Sequence, residues 1–200
     1  MPNWCTNTLS VEGPAEDIRR FKVTASGPTQ TYNEYSGLNK TNPDKPWPIN
    51  DDIRLRAIAE SLPEPGPVQV FSFHALYPVP DEVRRLPYDN RQAKEVGALI
   101  GLTPTYGGHA WENAHWGCKW GASEPELFQE EDSFLQYSFD TPWGPPMEFL
   151  EKVSSDWPTL SFSIDYEEAG MGFAGNAEYV AGEVTASEER EIEWEEEDEE

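Results

Sequence analysis

The residues best suited to chemistry lie in and around one aromatic segment, Trp111–Trp120. Histidine nitrogens and cysteine thiolates are the ligands that zinc prefers, and His109, His115 and Cys118 supply them, with Cys5 as a fourth candidate. Their spacing, His-x5-His-x2-Cys, lies outside the common zinc-finger patterns. Exposed histidines beside a buried thiol are the simpler interpretation, so we assign no metal site and expect no cofactor.

Nucleophilic catalysis by Cys118, with His115 as its base, is a second hypothesis for these residues. A thiolate can be activated by a neighbouring imidazolium, and His115 precedes Cys118 by three positions. Residues at that spacing meet only on a helix, which Gly117 disfavours, and surrounding negative charge raises the pKa of a thiol. The adjacent acids Glu167-Glu168 and Glu130-Glu131-Asp132 do not by themselves converge on a substrate. The sequence therefore favours a non-enzymatic protein.

The aromatic segment is also suited to contact. Trp116 and Trp120 with Lys119 between them would form an aromatic platform carrying one cation, which suits the stacking of a base or of a partner side chain. Trp143, in a proline-rich turn, would join them. Alternatively, the indoles anchor an insertion against a sheet. The predicted partner- or ligand-binding residues are Trp116, Lys119, Trp120, Trp143, Asp140 and Glu167.

Alternating apolar and polar residues predict the strands that would position these side chains. The alternation is complete over Leu160–Tyr166, and it recurs over Leu135–Asp140 and Asn7–Val11. A further strand is predicted over Val68–Leu76, where a slip of the apolar phase between Val70 and Phe71 suggests a bulge. A hairpin is predicted from Met171 to about Val184.

Helices are predicted between these strands. Pro14 precedes one and Pro145-Pro146 precede another, because proline suits the first helical turn. Two more are predicted over Asp51–Leu62 and Arg91–Ile100. The core order is then strand, helix, strand, strand, helix, strand. This is the α+β, ferredoxin-like split βαβ plan, an antiparallel sheet with both helices on one face. We predict one domain over residues 1–186, with insertions at about 25–67 and 78–133 and a C-terminal β-hairpin.

Charge restricts the class of partner. The chain has 200 residues, 38 acidic and 14 basic, and a formal net charge of −24. Such a surface repels nucleic acid and anionic membranes, so we expect neither as a direct partner. Ten acids and one base fall in Ser187–Glu200, which we predict to be a disordered tail. Two distant cysteines and no apolar leader or span indicate free thiols and a cytoplasmic location.

Several sequence blocks resemble a known family. They are Met1–Leu9, Phe73–Pro80, Trp116–Trp120, Phe139–Trp143 and Tyr166–Gly170. Their order is similar to that of the YubB-type ferredoxin-like proteins carried by phages and plasmids. The resemblance implies a ferredoxin-like fold and an origin in a mobile genetic element, and it implies no established activity.

Two functions follow as hypotheses. The first is a phage or plasmid accessory protein that binds a basic host or phage protein, as an acidic mimic of nucleic acid or a counter-defence factor. The alternative is a small-ligand, nucleotide-like binding or enzymatic domain that uses the tryptophan-rich loop. A third hypothesis is that the protein is a structural component of the virion, which predicts stable oligomers. The sequence does not fix the oligomeric state.

Overall fold

The computed structural model describes residues 2–34, 56–101 and 107–192. Its main layer is a six-stranded antiparallel sheet, and a separate two-stranded pair lies outside it. In chain order the strands are β1 (Trp4–Glu12), β2 (Gly27–Pro28), β3 (Val68–Gln69), β4 (Ser123–Glu131), β5 (Phe134–Pro142), β6 (Ser161–Glu168), β7 (Phe173–Val180) and β8 (Glu183–Glu191). The strand order in the main sheet is β4-β5-β1-β6-β7-β8, and β2 pairs with β3.

Helices occupy the connections between strands. They are α1 (Ala15–Ala25), α2 (Phe73–Leu76), α3 (Asp81–Arg84), α4 (Asn90–Ile100), α5 (Gly108–Trp116) and α6 (Met147–Asp156). Residues 56–60 are also helical, whereas 51–55 of the predicted helix lie outside the described residues. Prolines precede α1 and α6, and acids in the first turn of each complement the helix dipole. Among the described residues, no helix is both long and apolar enough to cross a lipid bilayer.

The predicted ferredoxin-like fold is confirmed. Its core is β1-α1-β4-β5-α6-β6, and the neighbouring strands lie in the order β4-β5-β1-β6. The hairpin β7–β8 extends this sheet on the β6 side. Both α1 and α6 contribute buried side chains to the same hydrophobic cluster as the sheet, so they cover one face and leave the other open.

The covered face is the side of the sheet that packs against α1 and α6. Leu9, Tyr137 and Ile164 are fully buried there, and burial of such side chains contributes about 1.5–3 kcal/mol each. The segment around α2 adds aromatic rings to this core. Phe73 stacks on Phe149 with ring centroids 3.9 Å apart. The α2 segment therefore packs against the sheet core.

The second core strand was predicted in the wrong place. The strand expected over Val68–Leu76 ends at Gln69, and Ser72 then caps α2 by accepting a hydrogen bond from the Ala75 N–H at 3.2 Å. The phase slip at Val70 therefore marks a change from strand to helix. The second core strand is β4, which lies inside the predicted insertion 78–133. A single long connection thus replaces the two predicted insertions.

The predicted hairpin is present and longer than expected. Strand β8 continues to Glu191, which pairs with Phe173, so residues 187–191 of the predicted tail are part of the sheet. The prediction of disorder is wrong for these residues, because an edge strand is held by main-chain pairing and leaves its own side chains exposed. Residues 193–200 of the predicted tail lie outside the described residues.

Candidate functional site

The open face is the side of the sheet that faces away from α1 and α6, and it is rich in acids and small hydroxyls. Strand register places Thr8 beside Ser138 on β5 and beside Asp165 on β6. The same alternation places several carboxylates on this face, among them Glu126, Asp140, Asp165, Glu167, Glu178 and Glu188. Strands β1 and β4–β8 contain one basic residue, Arg190 on the outermost strand.

Two predicted site residues flank a single threonine on this face. Thr6 pairs with Asp140 on one side and with Glu167 on the other. Directly opposed side chains of neighbouring strands have Cβ atoms about 4.5–5.5 Å apart. The Thr6 hydroxyl therefore lies between two carboxylates, one strand away from each. Because side chains alternate along β1, Trp4 projects from the same face two positions earlier.

Beyond this end of the sheet lies the tryptophan cluster, which we define as Trp4, Lys119, Trp120 and Trp143. The Lys119 Nζ atom is 4.2 Å from the ring centroid of Trp120 and 5.9 Å from that of Trp143. The rings of Trp4 and Trp120 are 6.3 Å apart. Trp4, Trp120 and Trp143 are 42%, 44% and 48% exposed. The cluster thus presents a large aromatic surface to solvent.

The backbone at two of these tryptophans is strained. Trp120 has φ = 72° and Trp143 has φ = 73°, a left-handed region that bulky residues rarely enter. Such a conformation costs about 1–3 kcal/mol and persists where the surrounding structure enforces it. The Trp143 N–H donates to the Asn3 carbonyl at 3.0 Å. The Trp120 N–H donates to Glu112 Oε2 at 2.7 Å.

Glu112 on α5 is a fully buried carboxylate that accepts hydrogen bonds from several segments. Its Oε1 atom accepts from Gln30 Nε2 at 3.0 Å and from the Tyr32 hydroxyl at 2.6 Å. Its Oε2 atom accepts from the Tyr88 hydroxyl at 2.9 Å and from the Trp120 N–H. Burial raises the pKa of Glu112, and these hydrogen bonds oppose that shift.

Trp116 is not part of any exposed platform, and its predicted role in binding is wrong. Its side chain is 0% exposed, and its Nε1–H donates to the Tyr77 carbonyl at 3.1 Å. It packs edge-on against Phe73 and Trp111, each with centroids 5.6 Å away. The alternative reading, in which indoles anchor the insertion against the sheet, applies to Trp116 and to the buried Trp111.

The structure does not gather the histidines and cysteines into a metal site. The His115 ring stacks on Trp111 at 4.3 Å and its Nδ1 lies 2.8 Å from the Trp111 carbonyl oxygen. His109 instead contacts Asn90 at 3.4 Å. Within residues 2–34, 56–101 and 107–192, no group of three or more His, Cys, Asp or Glu side chains is placed to hold a metal ion.

Both thiols are free and buried, as predicted. Burial, assisted by Glu168, raises the pKa of Cys5 to about 12. Burial also raises the pKa of Cys118, with Glu112 as the next cause. These thiols are protonated at neutral pH and are therefore poor nucleophiles.

The acids Glu167 and Glu168 point to opposite faces of β6. Glu167 is exposed on the open face. Glu168 is buried, and its carboxylate accepts hydrogen bonds from the N–H groups of Gly170 and Met171 at 3.1 and 2.5 Å. Glu168 therefore stabilises a turn, and the two carboxylates do not converge on a substrate.

Comparison with known proteins shows which family this architecture is similar to. Residues 115–200 match the family model described as the ferredoxin-like domain in Api92-like protein. The chain is 30% identical over 99 residues to the uncharacterised protein YubB of Escherichia coli strain K12, and this match covers 49% of the chain and 66% of YubB. The predicted resemblance to YubB-type proteins is therefore confirmed.

A solved structure extends the likeness to nearly the whole fold. Protein api92 from Yersinia pseudotuberculosis superposes with a TM-score of 0.60 at 14% identity, over 96% of this chain and 99% of that one. The range that matches the Api92-like family model contains Lys119, Trp120 and Trp143. Trp4 and Glu112 complete the surroundings of these residues from outside the matched range. Trp4 lies in the Met1–Leu9 block of the resemblance, but no sequence pattern assigned Trp4 or Glu112 to the site, because their contacts with Trp120 form only in the folded chain.

Proposed function

We propose that this chain is a non-enzymatic accessory protein of a phage or plasmid, which binds a basic host or phage protein in the host cytoplasm. The observation that carries the proposal is the open face, where carboxylates and hydroxyls fill the central strands and the single basic residue of the sheet is Arg190 at its margin. The origin in a mobile element rests on the resemblance to the YubB-type proteins.

Regular spacing makes this face suited to a basic partner. Side chains on one face of a strand repeat about every 6.6 Å, and neighbouring strands lie about 4.8 Å apart. Asp165 and Glu167 follow that repeat on β6, with Asp140 two strands away on β5. Carboxylates held in this way would occupy the positions of phosphates in the groove of a nucleic-acid enzyme. Complementary charge would accelerate association and make it sensitive to salt.

The tryptophan cluster would supply the centre of affinity. Exposed tryptophans are enriched among the residues that dominate protein interfaces, and here Trp4 connects the cluster to the acidic pair around Thr6. Acids on the open face would guide the approach of the partner, while burial of Trp120 and Trp143 would slow its release. Both regions belong to one continuous surface at the start of β1.

Matched charge variants test the proposal. The open-face variant carries Asp140→Asn, Asp165→Asn and Glu167→Gln. The control variant carries Glu16→Gln, Glu60→Gln and Glu82→Gln, which change the net charge equally at exposed positions away from the sheet. Each tagged protein is incubated with lysate of a bacterial host at low salt, and bound proteins are eluted with a salt gradient and identified.

The expected result is a basic nucleic-acid-binding protein that the unmodified chain and the control variant retain, and that the open-face variant releases at lower salt. Binding kinetics of that purified partner should show a slower association rate for the open-face variant. Equal retention by both variants, or no basic protein in the eluate, would contradict the proposal.

A nucleotide-like ligand at the tryptophan cluster is the second candidate function. The observation that favours it is Lys119, whose ammonium group lies against two indole rings, and which forms no ion pair with a carboxylate of the described residues. A base could stack on an indole while its phosphate contacts this cation. Tryptophan fluorescence during titration with nucleotides tests this candidate. A response that Lys119→Met abolishes supports it, and an unchanged spectrum excludes it.

A further inference from the structure

We propose that Glu112 is the positioning residue of the tryptophan cluster: its buried carboxylate holds Trp120 in place through the Trp120 N–H. The residue is 0% exposed, so it acts on a partner only through Trp120. The conformational part of this inference is independent of any partner. Its consequence for binding rests on the proposed function.

The carboxylate joins segments that are far apart in sequence. Gln30 and Tyr32 approach it from the chain after β2, and Tyr88 approaches from the turn before α4. Trp120 approaches from the loop that follows α5. Four donors satisfy the lone-pair sites of an ionised carboxylate. Among the described residues no cation pairs with Glu112, so its negative charge is held by neutral donors alone.

The loop after α5 needs such a support. Helix α5 ends at Trp116 and is capped by Gly117, which has φ = 77°. The chain then passes through two more left-handed residues, Trp120 at 72° and Gly121 at 73°. Glycine adopts this conformation freely, whereas tryptophan does not. The loop turns back over its own helix, because the Trp120 N–H bonds a side chain eight positions earlier.

Loss of the acceptor would therefore release Trp120 in particular. An unpaired buried N–H is costly, and hydrogen bonds to charged acceptors are stronger than neutral ones. Without Glu112 the loop can relax to an ordinary negative φ at Trp120. The indole would then move away from Trp4 and from Lys119, which touch it in the folded chain.

Nuclear magnetic resonance of the full chain tests this inference without any partner. The first variant, Glu112→Gln, keeps the shape of the side chain. Its oxygen can remain on Trp120, while its amide group faces the Tyr32 hydroxyl and the Gln30 amide, both of which can reverse their polarity. The second variant, Glu112→Met, has similar length and no strong acceptor. The readouts are the backbone amide of Trp120, its indole signal and the amides of Leu9 and Ile164 in the core.

In Glu112→Gln, we expect the Trp120 amide proton to move upfield and to exchange about tenfold faster, because a neutral acceptor replaces a charged one. Leu9 and Ile164 should keep their protection. In Glu112→Met, the Trp120 amide should lose its protection and the indole signals of Trp4 and Trp120 should shift. Should Glu112→Met fail to fold, Glu112→Gln alone decides. A Trp120 amide that Glu112→Gln leaves unchanged in shift and exchange overturns the proposal.

Binding of a partner separates this inference from the proposed function. With a purified basic partner, we expect Glu112→Gln to raise the dissociation rate of the complex. The association rate should stay unchanged, because no surface charge is altered. If no partner is found while the Trp120 amide responds as expected, the proposed function fails and the positioning role stands.

Discussion

The covered and open faces of the sheet are made from alternate residues of the same strands, and they obey different constraints. On β6, Phe162 and Ile164 are buried under the helices, whereas Ser163 and Asp165 face outward. Packing fixes the identity of the first set, because apolar atoms removed from water stabilise the fold. No packing constrains the second set. The acidity of the open face is therefore free to serve recognition, and the two faces should respond oppositely to substitution.

Truncation on β6 tests this difference most strongly. We expect Ile164→Ala to lower the free energy of unfolding by about 2–5 kcal/mol, because it leaves a cavity under the helices. Its neighbour Asp165→Ala should change that free energy by no more than about 0.5 kcal/mol. Urea unfolding followed by circular dichroism gives both values. Comparable losses in the two variants would show that the open face is packed after all.

Replacing Asn7, a polar residue on the covered face, should have the second largest effect on the free energy of unfolding. Asn7 is fully buried, and its Nδ2 atom donates to the Cys5 carbonyl at 2.8 Å, the Phe139 carbonyl at 3.2 Å and Thr141 Oγ1 at 2.8 Å. Asn7→Ala leaves these acceptors unpaired, and we expect a loss of about 1–3 kcal/mol. Thr8→Ala, one position along, is the matched control. A loss no larger than that of the control would contradict the prediction.

The sequence predicts the covered face well and the remainder only in part. Alternation is complete where every second residue of a strand is buried, as on β5 and β6, and those strands are where it places them. Strand β4 was not predicted because it is an edge strand, and the exposed acids before and after Leu127 leave it without a regular apolar alternation. Trp120, Trp143 and Lys119 were found by residue type. Trp4 and Glu112 were not, because only the folded chain brings them to these partners.

The strained backbone at Trp143 in the tryptophan cluster predicts that a glycine variant will be more stable than an alanine variant. Trp143 is 48% exposed and has φ = 73°, a conformation that glycine adopts without strain. We expect Trp143→Gly to be more stable than Trp143→Ala by about 1 kcal/mol, whereas glycine is normally the weaker of the two. Thermal unfolding of both variants measures the difference. Alanine equal to or better than glycine would mean that the backbone at this position is unstrained.

Neutralising the open face should produce a small gain in stability. Asp165 and Glu167 project from the same side of β6, in a sheet face rich in like charge. We expect Asp165→Asn with Glu167→Gln to raise the free energy of unfolding by no more than about 0.5 kcal/mol, since water screens exposed charges. The gain should shrink as salt is added. A loss of stability would indicate that these carboxylates hold structure.

The titration of His74, in α2, should have the smallest effect on stability. Burial, followed by the charge of Arg84, lowers the pKa of His74, and its neutral Nδ1 accepts a hydrogen bond from the Val79 N–H at 3.0 Å. Because the folded chain binds a proton less readily, this contribution is present above the ordinary value of 6.5 and is lost as the pH falls below it.

His74→Asn supplies the control, since asparagine can accept the same bond and does not titrate. As the pH falls from 7.5 to 5.5, the unfolding free energy of the wild type should therefore decrease relative to that of His74→Asn. Effects of overall charge cancel in that difference. A gap that stays constant with pH would contradict the assignment.

The edges of the sheet have a consequence for how molecules of this protein meet. Unpaired strand edges invite a second chain to add on, and charged side chains oppose that addition. Here β4 carries Glu124, Glu126, Glu130 and Glu131 along one border, and β8 carries Glu183, Glu188, Glu189 and Glu191 along the other. Edge-to-edge growth would press rows of carboxylates together from either direction. At neutral pH the sheet therefore resists polymerisation, and acidification would weaken that protection.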